Sequence, residues 1–136
     1  MNKKTVNEMI PYAYEALRVS RIAEYERIDK RYRAQISSFG AAITMGSLLS
    51  AIAFFSDKDK DKDKDKDKDF AEVDRQWLMD AILYILKCQK KCEDDIEKLY
   101  EYVNKQKDNS SSYKAKENII NAAIALKLAM NLYTLE

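Results

Sequence analysis

Apolar side chains return at three- and four-residue steps along most of this chain. Ile10, Tyr14, Leu17, Tyr25, Ile28, Tyr32 and Ile36 keep that rhythm, which places them on one buried stripe and predicts a helical stretch from about Asn7 to Ser37. Pro11 suits its first turn, where a missing N–H costs nothing. Arg21 falls inside the stripe. Either the helix breaks nearby, with a bend between residues 24 and 30, or Arg21 is paired.

The next stretch, Phe39 to Phe55, carries no charge, and the uncharged run extends from Ala34 to Ser56. Its length could cross a bilayer, but Ser, Thr and Gln interrupt it, and a helix buried on most sides is the reading preferred. Ala42, Gly46 and Ser50 form a small-residue row, which would let another helix backbone approach.

Strict Asp-Lys alternation follows from Asp57 to Asp69. It sets like charges at i,i+4 and buries nothing, so a disordered surface loop is expected. The run has neither the glycine nor the glutamate of an EF-hand loop. Asp69 with Glu72 then reads as a capping arrangement. Val73, Trp77, Ala81, Tyr84, Cys88, Cys92, Ile96, Leu99 and Val103 continue a helical stripe. That stripe is one long helix, or two shorter ones meeting near Gln89 to Asp95, and Trp77 on it is expected to be buried. Asn104 to Ser112 is a polar connector whose serines can cap a last helix, Tyr113 to Tyr133. There only Glu117, Asn121, Lys127 and Asn131 leave a polar strip, so the helix is central or offers a face to a partner.

The pattern as a whole predicts an all-α fold. It is a compact bundle of about five helices without a sheet, one domain over residues 1–136 with 57–69 as its disordered charged loop. Two glycines and one proline in 136 residues agree, because a turn-rich β fold needs far more.

Composition narrows the chemistry. The chain has no histidine, which removes Ser-His-Asp and Cys-His triads and the commonest metal ligand. Two cysteines are too few for a zinc site of four ligands. Cys88 and Cys92, four apart on one helix face, read as small buried hydrophobes in a reducing cytoplasm. Asp94 and Asp95 are adjacent and point apart on a helix. No signal-peptide core follows Met1 to Lys4. The expectation is therefore a cytoplasmic protein that binds rather than catalyses, with no cofactor, no metal and no membrane.

Net charge is +1, unevenly spread. The densest basic cluster is Arg27, Lys30, Arg31 and Arg33, with Arg18 and Arg21 upstream and Tyr25 and Tyr32 interleaved. Lys87, Lys90 and Lys91 form a smaller one. Several cations on one surface can neutralise a nucleic-acid backbone. Glu24, Glu26 and Asp29 lie among them, which leaves an ordinary solvated face as the competing reading.

From Tyr32-Arg33 through Gly46 to Ala53-Phe54-Phe55, the chain resembles the small helical subunit of the type III-B (Cmr) CRISPR effector complex. Tyr113, Glu117 and Ala122 to Leu128 are similar to that family's last helix. Met45 and Ser47 flank the glycine where the family usually has asparagine and leucine. Phe39-Gly40 stands where it has a proline, and Ala125 to Lys127 where it often has tryptophan and basic residues. The resemblance implies a helical, non-catalytic subunit that stacks end to end with copies of itself, beside other subunits of the effector complex. It implies basic faces lining the groove of the guide and target RNA duplex, with cleavage done elsewhere. Arg18, Arg21, Arg27, Lys30, Arg31 and Arg33 are the RNA-contact candidates. The competing function is a helical adaptor or membrane-associated protein that uses the uncharged helix 39–55 as its interface, without nucleic acid.

Overall fold

A computed structural model describes residues 1–56, 73–105 and 109–136, with the backbone alone at 109–111. The Asp-Lys tract and the Asp69–Glu72 capping pair lie outside the described residues.

The first helix, α1, spans Lys3–Val19, and Asn2 caps it by accepting the Thr5 N–H at 3.1 Å. Pro11 is therefore internal rather than in the first turn. Pro11 and Asn7 are both exposed, so water can serve the Asn7 carbonyl that the ring leaves without a donor. The helix stops at Arg21, which adopts a left-handed φ of 71° and donates its N–H to the Arg18 carbonyl.

Of the two readings of Arg21, the break is the one found, and a hairpin rather than a bend within a helix fills residues 23–28. Strands β1 (Ala23–Glu24) and β2 (Arg27–Ile28) pair antiparallel, Ala23 with Ile28 and Glu24 with Arg27. Tyr25 and Glu26, at φ 54° and 64°, form the two-residue turn, the geometry whose twist matches a hairpin. A third strand, β3 (Thr134–Leu135), lies parallel to β2. The expectation of no sheet is corrected to this extent: three two-residue strands tie residue 27 to residue 134.

Helix α2 (Arg31–Met45) ends at Gly46, and α3 (Leu48–Phe55) restarts with the Ser47 hydroxyl accepting the Ser50 N–H. The uncharged stretch is thus a bent pair, closed by an edge-on contact of Phe39 and Phe55 at 5.1 Å. The small-residue row falls at the bend: Gly46 and Ser50 are exposed, and no helix seats there among the described residues. Among the described residues no helix is long and apolar enough to cross a membrane.

Helix α4 (Arg75–Cys88) is capped by Asp74, whose carboxylate accepts the Gln76 N–H at 2.9 Å. It closes with Lys90 at φ 61°, where the Lys91 N–H reaches the Leu86 carbonyl and the Lys90 N–H the Lys87 carbonyl. Cys92 accordingly lies beyond the helix rather than one turn along it. Burial pushes its thiol pKa up, which keeps it protonated and inert. The short α5 (Leu99–Asn104) follows, so the second stripe is two helices.

The last helix, α6, spans Asn109–Met130 and includes the serines expected to precede it. It touches α1, α2, α4 and α5, the central place its nearly all-round apolar surface predicts. One member of the expected polar strip is not on the surface. Asn121 is 4% exposed and accepts the Asn2 N–H at 3.1 Å. At the other end of the same pair of helices the Tyr133 hydroxyl donates to the Tyr14 carbonyl at 2.8 Å. Those two hydrogen bonds run α1 and α6 parallel, side by side.

Candidate nucleic-acid interface

At one end of the bundle α1 and α6 stop and α2 and α4 start; the small sheet ties the turn between α1 and α2 to the end of α6, and Tyr32 ties α2 to α4. All six candidate cations fall here because the chain turns there between α1 and α2. Helix α2 opens on Lys30, Arg31 and Arg33 and has no acidic residue in its first turn. Asp29 lies just before them, and its carboxylate accepts the Arg31 N–H at 2.9 Å, so a negative charge caps the start of the helix.

The structure divides the six. Arg18, in the last turn of α1, has its guanidinium 5.8 Å from the centre of the Tyr14 ring. Tyr14 stacks on Tyr133 at 4.6 Å. Arg18, Arg21 and Lys30 reach the surface and have no ion pair among the described residues. Arg27 is exposed but lies 3.6 Å from the Glu136 carboxylate. Arg31 grips Asp29 through Nε and Nη2, at 2.6 to 3.1 Å. That grip holds the Asp29 carboxyl below its ordinary pKa. Arg33 is half-buried, and its Nε is buried without a hydrogen-bond partner among the described residues. So three of the six are free surface cations, two are held by carboxylates, and one is turned partly inward.

Between the hairpin and the starts of α2 and α4 lies a cleft of about 500 Å³. Ile22 and Ile28, both buried, lie at its base, and Tyr25 and Trp77 supply aromatic surface. Arg21 and Arg27 bring cations to it, and Glu24, Asp29 and Glu136 bring carboxylates. Tyr32 anchors it: its hydroxyl accepts the Asp74 N–H at 3.1 Å, joining α2 to the cap of α4. Burial is the main cause of the raised Tyr32 pKa.

Three of these residues depart from what the sequence pattern predicts. Trp77, expected in the core, is half-buried, with the cleft against it. Tyr25 fits the buried stripe by spacing and is 91% exposed at the hairpin tip. Glu136 comes from the other end of the chain through β3, and nothing local announces it. Elsewhere, Lys87, Lys90 and Lys91 gather at the far end of α4 beside Glu93 and Asp94. Among the described residues no group of three His, Cys, Asp or Glu could hold a metal ion.

Residues 7–130 match the family described as CRISPR-associated protein (Cas_Cmr5). The chain belongs to this family. It is the family of the small helical subunit of the type III-B Cmr complex, so the partners of the chain are those of a Cmr complex. No curated protein and no solved structure matches the chain. The matched span runs from α1 to the last residue of α6 and contains all six candidate cations, Tyr25 and Trp77. The short motifs that carry the Cas_Cmr5 resemblance now have structural reasons. Tyr32 holds the α4 cap, Gly46 ends α2, and Phe55 closes α3 against Phe39. Phe54 is half-exposed with the Arg75 guanidinium 4.4 Å from its ring centre.

Proposed function

We propose that this chain is a non-catalytic architectural subunit of its Cmr complex. It stacks with copies of itself beside the other subunits, and Arg18, Arg21 and Lys30 are its principal contacts to the backbone of the guide and target RNA duplex. Arg27, Arg31 and Arg33 take a secondary part. The observation that carries this reading is the basic start of α2. Asp29 answers Arg31 there, its carboxylate taking both the Arg31 N–H and the guanidinium, but Lys30 has no ion pair among the described residues. Lys30 thus adds a positive charge that no ion pair among the described residues takes up, and a phosphate would. Held by Asp29 and Glu136, Arg31 and Arg27 lose much of their field, which shifts the weight onto the three free cations. Interactions of this kind read the shape of a duplex and not its sequence.

The protein-contact surface is the corner of α2 and α3. Met45, Leu49 and Phe54 are exposed there within a run that carries no charge, with the Arg75 guanidinium over the Phe54 ring as the one cation described beside them, and a mostly apolar surface with an arginine suits burial against another subunit. A helical adaptor that uses this 39–55 surface without nucleic acid is the competing reading, and one experiment separates them.

Cmr complex is assembled with the triple variant Arg18→Glu, Arg21→Glu, Lys30→Glu, and RNA retention is followed as salt is raised. The variant should assemble normally and hold RNA more weakly. Its salt dependence should be shallower by roughly one unit of slope for each phosphate it no longer neutralises. Assembly with wild-type RNA retention at every salt concentration would leave the cations as a solvated face and favour the adaptor.

A further inference from the structure

The cleft beside these cations is poorly suited to a duplex backbone. Its two arginines face three carboxylates, so its net field does not attract a row of phosphates. Its other surfaces are aromatic and aliphatic, and its volume of about 500 Å³ is that of a small-ligand site. We propose that it takes a single unpaired base of an RNA strand, stacked on Tyr25 and Trp77. This rests on the RNA reading above and adds a ligand to it.

Each part of an unpaired nucleotide finds a matching group. The flat base has two aromatic side chains on which to stack, and such stacking tolerates any base. Glu24 has no ion pair among the described residues, and a carboxylate accepts from an exocyclic amine such as N4 of cytosine. Arg21, also free, can meet the phosphate that follows. Ile22 and Ile28 give the cleft an apolar lining for the edge of the base.

Tyr25 supplies the independent argument. It lies at the first position of a turn that needs left-handed backbone, where Asn or Gly is the usual residue. Its φ of 54° is unfavourable for an aromatic side chain. At 91% exposure it recovers no burial in return. A strained backbone carrying a side chain that does nothing for the fold points to use by a ligand.

Trp77 is the one tryptophan in the chain, so its fluorescence reports this cleft alone. Full-length protein is titrated with an unstructured oligocytidine and, separately, with a blunt, fully paired RNA duplex. Binding is read by anisotropy of a label on the RNA, and the cleft by Trp77 emission. The single strand should quench Trp77 and the duplex should not. Tyr25→Asn should weaken single-strand binding about ten-fold, the lower range for removing one base–aromatic stack, while raising the melting temperature because asparagine suits the turn. Equal quenching by duplex and single strand overturns the proposal. So does a bound single strand that leaves Trp77 unchanged, or Tyr25→Asn binding oligocytidine as wild type does. Failure of the RNA reading looks different: the Arg18, Arg21 and Lys30 reversals would then leave the anisotropy of both RNAs untouched.

Discussion

Tyr133 shows how much one side chain near the end of a chain can hold. Its ring stacks on Tyr14, its hydroxyl bonds the Tyr14 carbonyl, and Arg18 adds a cation over the same pair. Burial, with Tyr14 close by, pushes its pKa up to about 12. In the unfolded chain a tyrosine ionises near pH 10. The neutral form is therefore favoured by folding, and the contribution is whole below pH 10 and is lost as pH rises through about 12. Tyr32 and Tyr102, raised mainly by burial, act in the same sense. Urea unfolding at increasing pH should show stability falling above pH 10. Tyr133→Phe should lose about 1 kcal/mol near neutral pH, the usual worth of one hydrogen bond, and should show a shallower alkaline decline. A steeper decline in the variant would contradict the assignment.

At the scale of elements, the two glycines are opposites. Gly40 lies within α2, and a Cβ there would meet nothing within 4 Å. Gly40→Ala should stabilise by about 0.5–1 kcal/mol, because alanine loses less backbone freedom in a helix. Gly46 ends the same helix, and a Cβ there would stand 3.0 Å from the Ala42 carbonyl oxygen. Gly46→Ala should destabilise by about 1–3 kcal/mol, the range for forcing atoms into a filled space. Thermal melts of the two variants should move in opposite directions. The same elements show what a sequence reveals. The apolar spacing finds where most of the helices lie but runs on through the hairpin at 23–28 and the break at Gly46, and the near absence of Gly and Pro excludes an extensive sheet. Exact helix ends are obscure where residues other than glycine take left-handed backbone, as Arg21, Tyr25, Glu26 and Lys90 do: Arg21 betrays its break only by putting a charge in an apolar stripe, and Tyr25 and Glu26 give no sign of a turn. The stripe through Tyr25 and Ile28 fits helical spacing by coincidence, since a two-residue turn also brings Ala23 and Ile28 together. The candidate site is half legible. The cations are visible as a cluster, but the carboxylates that hold two of them, and the position of Trp77 beside the cleft, arise from how separate segments of the chain are brought together.

Across the whole molecule the decisive arrangement is the parallel pair α1 and α6, closed at one end by Asn2 on Asn121 and at the other by Tyr133 on Tyr14. The Thr134 N–H bonds the Glu26 carbonyl and the Glu136 N–H the Ile28 carbonyl. Removing residues 133–136 should therefore do more than shorten a tail. It withdraws the partner of β2, the ring under Tyr14 and one wall of the cleft. The truncated protein should keep most of its helical circular dichroism, melt well below the full chain, and lose the response of Trp77 to single-stranded RNA. An unchanged melting temperature would show that β3 and Tyr133 add nothing.

The parallel pairing also sets a schedule for synthesis. A chain leaves the ribosome from its first residue, at about 5–20 residues per second. The buried face of α1, Val6, Met9, Ala13, Ala16 and Leu17, packs on α4 and most extensively on α6, so it is fully covered only once a helix that begins at Asn109 has been made. Folding is thus governed by pairing between distant parts of the chain, which is the slow regime for a small helical protein. During that interval the part of the apolar face that α6 will cover stands open beside the growing polypeptide, available to a chaperone or to the wrong neighbour. Nascent chains halted before α6 should remain protease-sensitive along α1.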